Sequence, residues 1–156
     1  MKKQMKRNKK GFTLVEMIVV IAIIGVLAAM MVPSLLGYID KANTSNNRAA
    51  ATNIARMAQT VAAEMNKSSL SGAFTGKVVT GSVVFTLPST NTAEQQEFAT
   101  RLKPMFDSKF KGTFQVTVTS GSTTEVIYSP NATPPTPAWP SKPAYSTKEY
   151  GVYPED

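Results

Sequence analysis

Residues 9–16, Lys9-Lys10-Gly11-Phe12-Thr13-Leu14-Val15-Glu16, open a run that stays apolar to Val32, and this junction decides how the rest of the chain is read. From Phe12 to Val32 there are 21 residues whose only polar members are Thr13 and Glu16. Met17 to Val32 contains no polar side chain at all. At ~1.5 Å per helical residue the run covers about 30 Å, the thickness of a bilayer core. Lys2, Lys3, Lys6, Arg7, Lys9 and Lys10 precede it, whereas Asp40 and Lys41 balance one another after it. That asymmetry puts the N-terminus in the cytoplasm and everything beyond Val32 outside.

A formal charge of +7 would suggest a nucleic-acid or membrane-surface binder, but six of the 17 basic residues fall within the first ten positions. Without residues 1–11 the chain carries 11 basic and 10 acidic side chains, so direct nucleic-acid binding by charge loses its support. The sequence has no cysteine and no histidine, which removes disulfide frameworks, thiol catalysis and the commonest zinc ligands. No acidic pair is spaced for acid–base work, and the reading is of a protein that is not an enzyme and takes no cofactor or metal. A secreted domain without disulfides suits an export route lacking strong oxidation, as in many Gram-positive bacteria. At 156 residues the length allows one small domain plus one elongated element.

An ordinary secretory signal discards its apolar run after cleavage. A cut after Gly11 would instead leave the run at the start of the product. Through Gly11-Phe12-Thr13-Leu14-Val15-Glu16, into the apolar stretch and on to Pro33, the sequence closely resembles the class III signal peptide of type IV prepilins, with looser similarity to about Lys67. The resemblance implies that Gly11 is the last leader residue read by a prepilin peptidase. It implies that Phe12 is the new, N-methylated terminus and that Glu16 acts in assembly. Glu16 also stands out on physical grounds, because a carboxylate inside a spanning helix costs about 2.5 kcal/mol or more and so needs a partner or a function. The α-amino group of Phe12 in a neighbouring subunit would be one such partner. The competing reading is a carboxylate at the end of an anchor helix that reaches the headgroups.

Gly25 and Pro33 interrupt an otherwise helical pattern, and each weakens it. They are expected either to loosen the helix when a subunit leaves the bilayer or simply to kink or close-pack a membrane anchor. Beyond Pro33, Ile39, Ala42, Asn46, Ala50, Ile54, Met57, Val61 and Met65 follow steps of three and four, with Asn46 breaking the stripe and Lys41, Asn43, Asn47, Arg48 and Gln59 opposite. One helix from Phe12 to about Lys67 would be about 80 Å long. The alternative is a separate helix over 34–67 on a soluble domain.

Ser68 to Gly76 reads as the helix stop and a linker. Residues 77–87 suit a strand or a hairpin. Asn91-Thr92-Ala93-Glu94 offers an N-cap, with Glu94 at the third helical position, for a short helix through Phe98 and Leu102 and at most to Phe106, limited by Pro104. Phe114–Thr119 and Thr124–Tyr128 read as an antiparallel hairpin turning at Ser120-Gly121-Ser122. Residues 129–156 hold seven of the ten prolines with Trp139, Tyr145, Tyr150 and Tyr153, and suggest a partly mobile tail whose aromatics either pin it to the head, with Tyr150–Tyr153 as an edge strand, or present a binding surface. Many chains of the resembled family close this region with a disulfide, which cannot form here, so a defined C-terminal loop is in doubt.

The expected layout is a cleaved leader (1–11), a membrane or filament-core half-helix (12–33), an amphipathic half-helix (34–67), an α+β head (68–128) and the tail (129–156). The fold that the resemblance implies is the α+β type IV pilin fold, one long helix packed against a small antiparallel sheet. The functional expectation is a major pilin, made as a cytoplasmic-membrane precursor and then carried in a surface filament as a self-polymer or with other pilins. Its partners would be the prepilin peptidase and the pilus assembly machinery. Adhesion, and motility or DNA uptake where retraction motors exist, would follow. The alternatives are a pseudopilin of a type II secretion or competence system and a membrane-anchored binding domain.

Overall fold

Isoleucine, valine, leucine, methionine and alanine dominate residues 14–39, and in the computed structural model this stretch opens a single helix, α1, Leu14–Met65. The structure describes residues 11–79, 82–87, 92–107, 110–131 and 146–154. Residues 1–10 of the expected leader (1–11), and Trp139 and Tyr145 of the tail, lie outside these. Two compact units divide the chain, Met1–Ile39 and Asp40–Asp156.

In the first unit every described residue is exposed. Leu14, Ile18, Val19, Ile23, Leu27, Met30 and Leu35 all leave about half or more of their surface uncovered. A helix apolar on all sides is stable only in lipid or among other chains. Its hydropathy and length suffice to cross a membrane. The helix starts at Leu14 rather than Phe12, because Thr13 caps it.

The second unit takes the remainder of α1 and builds a sheet on it. Asn47, Ala51, Ile54, Ala55, Ala58, Val61, Ala62 and Met65 are the buried helical residues. The stripe read from sequence was therefore out of phase at its start. Ile39, Ala42 and Asn46 are exposed, Ala50 and Met57 are half-buried, and Asn47, expected on the polar face, lies inside. Alanine at 51, 55, 58 and 62 lets the sheet approach the helix closely, while its weak hydropathy left the phase poorly marked. Thr44, Thr52 and Thr60 return their hydroxyls to the carbonyls of Asp40, Arg48 and Arg56, which satisfies polar side chains within the helix.

Asn66, in the left-handed region at φ 47°, ends α1, and its N–H bonds the carbonyl of Ala62. The linker is shorter than expected: β1, Gly72–Val79, already begins inside the Ser/Gly-rich stretch and pairs with β2, Ser82–Thr86, as a hairpin. Helix α2, Ala93–Leu102, is capped by Thr92, one residue later than Asn91. The Thr92 hydroxyl accepts from the backbone of Gln95, and the Gln95 side chain accepts from the backbone N–H of Thr92, a reciprocal capping box. Pro104 turns the chain into a short 3-10 turn, Lys103–Met105.

Strands β3, Thr113–Thr119, and β4, Ser122–Ser129, form the expected hairpin. Ser120 and Gly121 both have positive φ, the two-residue turn whose twist suits antiparallel strands. β5, Gly151–Tyr153, is the edge strand expected from Tyr150–Tyr153. The antiparallel order is β2-β1-β3-β4-β5. This is the α+β arrangement of one long helix and a small antiparallel sheet, and the segment ending at Pro154 is defined despite the missing disulfide.

Phe114, Val116 and Val118 alternate inward on β3, and with Phe74, Phe98, Ile54, Leu70, Leu102 and Val126 they form the core. Gly76, paired with both Phe85 and Phe114, has no Cβ because the Phe114 ring occupies that space. Tyr128 is buried, and its hydroxyl donates to the carbonyl of Lys111 at 2.9 Å. Burial pushes that hydroxyl above the ordinary tyrosine range. An unfolded chain would therefore lose this proton first, so the stability Tyr128 contributes is present at neutral pH and is lost as pH rises through the folded value. Replacing Tyr128 by phenylalanine should flatten the alkaline fall in thermal midpoint, which unfolding curves across the tyrosine range would record.

The candidate processing and assembly segment

Gly11 to Thr13 lie outside the helix, and all three residues are exposed. A side chain at Gly11 would meet nothing within 4 Å, and the residues on both sides of the Gly11–Phe12 bond are exposed. Thr13 then stops the helix from continuing upstream. Its carbonyl takes the N–H of Met17 at 3.3 Å, the first helical bond. Its hydroxyl accepts the N–H of Glu16 at 3.2 Å, and Glu16 Oε2 accepts the Thr13 N–H at 2.7 Å and the Thr13 hydroxyl at 2.9 Å. Thr-x-x-Glu is a capping box, and it satisfies donors at a helix end that would otherwise be orphaned.

This gives Glu16 a role that reading it only as a lone carboxylate missed. Within the single chain it is a capping residue, with its charge beside the positive end of the helix dipole. The signal was in the sequence, since Thr13 stands three residues before Glu16 as Thr92 stands three before Gln95. The second helix start was read one residue early, at Asn91 with Glu94, and the hydrophobic run conceals where the first helix begins.

The capping bonds hold the carboxylate at the N-terminal end of α1, one residue from Phe12, whose ring is 82% exposed. Glu16 and the Gly11–Phe12 bond are thus brought together. Gly25 and Pro33 stand apart from them, at exposed positions on α1. The helix runs through both, although Pro33 has no N–H to offer the carbonyl of Ala29. A side chain at Gly25 would likewise meet nothing within 4 Å.

Residues 6–32 match the sequence signature described as the prokaryotic N-terminal methylation motif. The chain is similar to a type IV wide pilus major component of Thermus thermophilus, 57% identical over 37 residues, which are 24% of this chain and 28% of that protein. It is also similar to the type II secretion system core protein G of Dickeya chrysanthemi, 54% identical over 39 residues, 25% of this chain and 26% of the relative. A type IV major fimbrial protein of Dichelobacter nodosus is 49% identical over 41 residues, 26% of each chain. The matched stretches thus span about a quarter of these relatives. No solved structure matches the chain at a significant level.

Proposed function

We propose that this chain is a pilin-type structural subunit. It would enter the cytoplasmic membrane through α1, be cut between Gly11 and Phe12 by a prepilin peptidase, be N-methylated at Phe12, and polymerise through α1 into a surface filament. One observation carries the reading. An accessible peptide bond, a capped helix start bearing a carboxylate and a helix apolar on every side follow one another within a single stretch, and the N-terminal methylation motif covers that stretch. An anchor alone would need the helix but neither the open bond nor the acid.

The exposed apolar surface of the first unit requires lipid before assembly and sister helices after it. Glu16 would pair with the Phe12 α-amino group of a neighbouring subunit, and Gly25 and Pro33 would let α1 loosen as it leaves the bilayer. The subunit would assemble with copies of itself or with other pilins on the pilus assembly machinery. A major pilin supporting adhesion, and motility or DNA uptake where retraction motors act on the filament, is the reading we favour. The similarity to a type II secretion system core protein supports a second one, a pseudopilin in a short secretion filament.

Intact mass and N-terminal sequencing of protein sheared from cells test both. The expected product begins at methylated Phe12 and is recovered in high-molecular-weight filaments. A chain that keeps residues 1–11 and is found only in the membrane would overturn the proposal. Processed protein that never leaves the envelope would favour the secretion filament.

A further inference from the structure

The chain contains no cysteine, yet its described C-terminal segment, 146–154, is fastened to the second unit. The segment first closes on itself. The Thr147 hydroxyl accepts the N–H groups of Glu149 and Tyr150, the Tyr150 carbonyl accepts the Thr147 N–H at 2.7 Å, and Ser146 Oγ accepts the Val152 N–H at 3.0 Å. β5 then pairs with β4 at three positions, Val126 with Tyr153, Ile127 with Val152 and Tyr128 with Gly151.

One buried side chain of α1 engages the turn. Asn47, 5% exposed, donates through Nδ2 to the carbonyls of Thr147 at 3.1 Å and Lys148 at 3.0 Å. Two adjacent carbonyls can be served only by the amide NH2 end, so the orientation of the carboxamide follows from the chemistry. At the same place the backbones meet. A Cβ on Gly151 would run into the Asn47 carbonyl oxygen, so only glycine fits there. The other polar ties are weaker. Lys148 and Asp40 pair at 3.3 Å with both side chains about half exposed, and Gln59 reaches the Tyr153 hydroxyl with one neutral bond.

We propose that Asn47 is a releasable clasp. Its carboxamide governs whether the strap 146–154 is docked against α1 and β4 or open, while β1 to β4 stay folded. A covalent bridge would open only with reductant, whereas this fastening opens and recloses thermally. An open strap leaves the Val126–Tyr128 edge of β4 unpaired.

The test uses the full chain in detergent micelles, with amide exchange followed by mass spectrometry in 146–154 and in 113–119, the strand β3 that lies between β1 and β4 and does not touch β5 in the sheet order. Asn47→Asp keeps the shape of the side chain but sets a carboxylate, which cannot donate, against two carbonyl oxygens. The charged groups nearby are Arg48 and Asp40 on α1 and Lys148 and Glu149 on the strap. At neutral pH, strap protection factors should fall roughly ten- to a hundredfold, as expected for two lost hydrogen bonds, with 113–119 unchanged. Acidification should restore part of the protection, because the protonated acid regains one donor. Asn47→Ala removes both donors without adding charge and should open the strap at every pH. Unchanged strap protection, loss of protection in both segments together, or opening in Asn47→Asp but not in Asn47→Ala would each overturn the proposal.

Discussion

Replacing Phe98 by alanine should destabilise the second unit by about 3–5 kcal/mol, a large share of the ~5–15 kcal/mol that holds a domain of ordinary stability together. Phe98 has no exposed surface, and its ring lies 4.7 Å from that of Phe74, centroid to centroid, at a 45° tilt. It stands on α2 while Phe74 stands on β1, so the pair joins two elements that otherwise meet at few places. In the loop before β1, the Ser71 carbonyl accepts from the Gln95 amide at 2.6 Å and Ser69 donates to Glu94. With no disulfide, nothing covalent compensates for a cavity at this point. The thermal midpoint, followed by near-ultraviolet circular dichroism of the detergent-solubilised chain, should drop sharply. Val84→Ala is the control: Val84 is 52% exposed on β2, and its loss should change stability by less than ~0.5 kcal/mol. Equal effects at the two positions would show that Phe98 is not a core anchor.

What the sequence made legible follows from the range of the interactions involved. α1 could be read because hydropathy over Phe12–Val32 is a local property, and the β3–β4 hairpin because Phe114, Val116 and Val118 alternate up to a two-residue turn. The phase of α1 in the second unit could not be read. It depends on which alanines meet the sheet, and alanine at 50 looks the same as alanine at 51. Asn47 was misplaced for the same reason: its burial is justified by two carbonyls a hundred residues away, and no local rule predicts that. The insertion of β1 between β2 and β3 is likewise a long-range pairing. At the candidate site the Thr13–Glu16 capping box was hidden by the apolar run that follows it.

That box gives the Glu16 prediction its discriminating power. If Glu16 served only to start α1, glutamine would suffice, since its side-chain oxygen accepts from the Thr13 N–H as Gln95 accepts from Thr92, and Thr-x-x-Gln is an equally good box. If the charge is needed to meet a Phe12 α-ammonium group away from water, glutamine fails, because a neutral amide loses the ion pair that would offset the penalty of about 2.5 kcal/mol or more for a charge in an apolar core. We expect Glu16→Gln and Glu16→Ala both to abolish filaments recovered by shearing, while membrane insertion and the accumulation of full-length precursor stay near normal. Thr13→Ala, which removes the cap but keeps the charge, should weaken assembly without abolishing it, since a lost cap costs only about 0.5–2 kcal/mol. Normal filaments from Glu16→Gln, with loss in Glu16→Ala, would assign Glu16 to the helix start alone. The axial register of the polymer would then have to come from the shape of the apolar helix and the second unit.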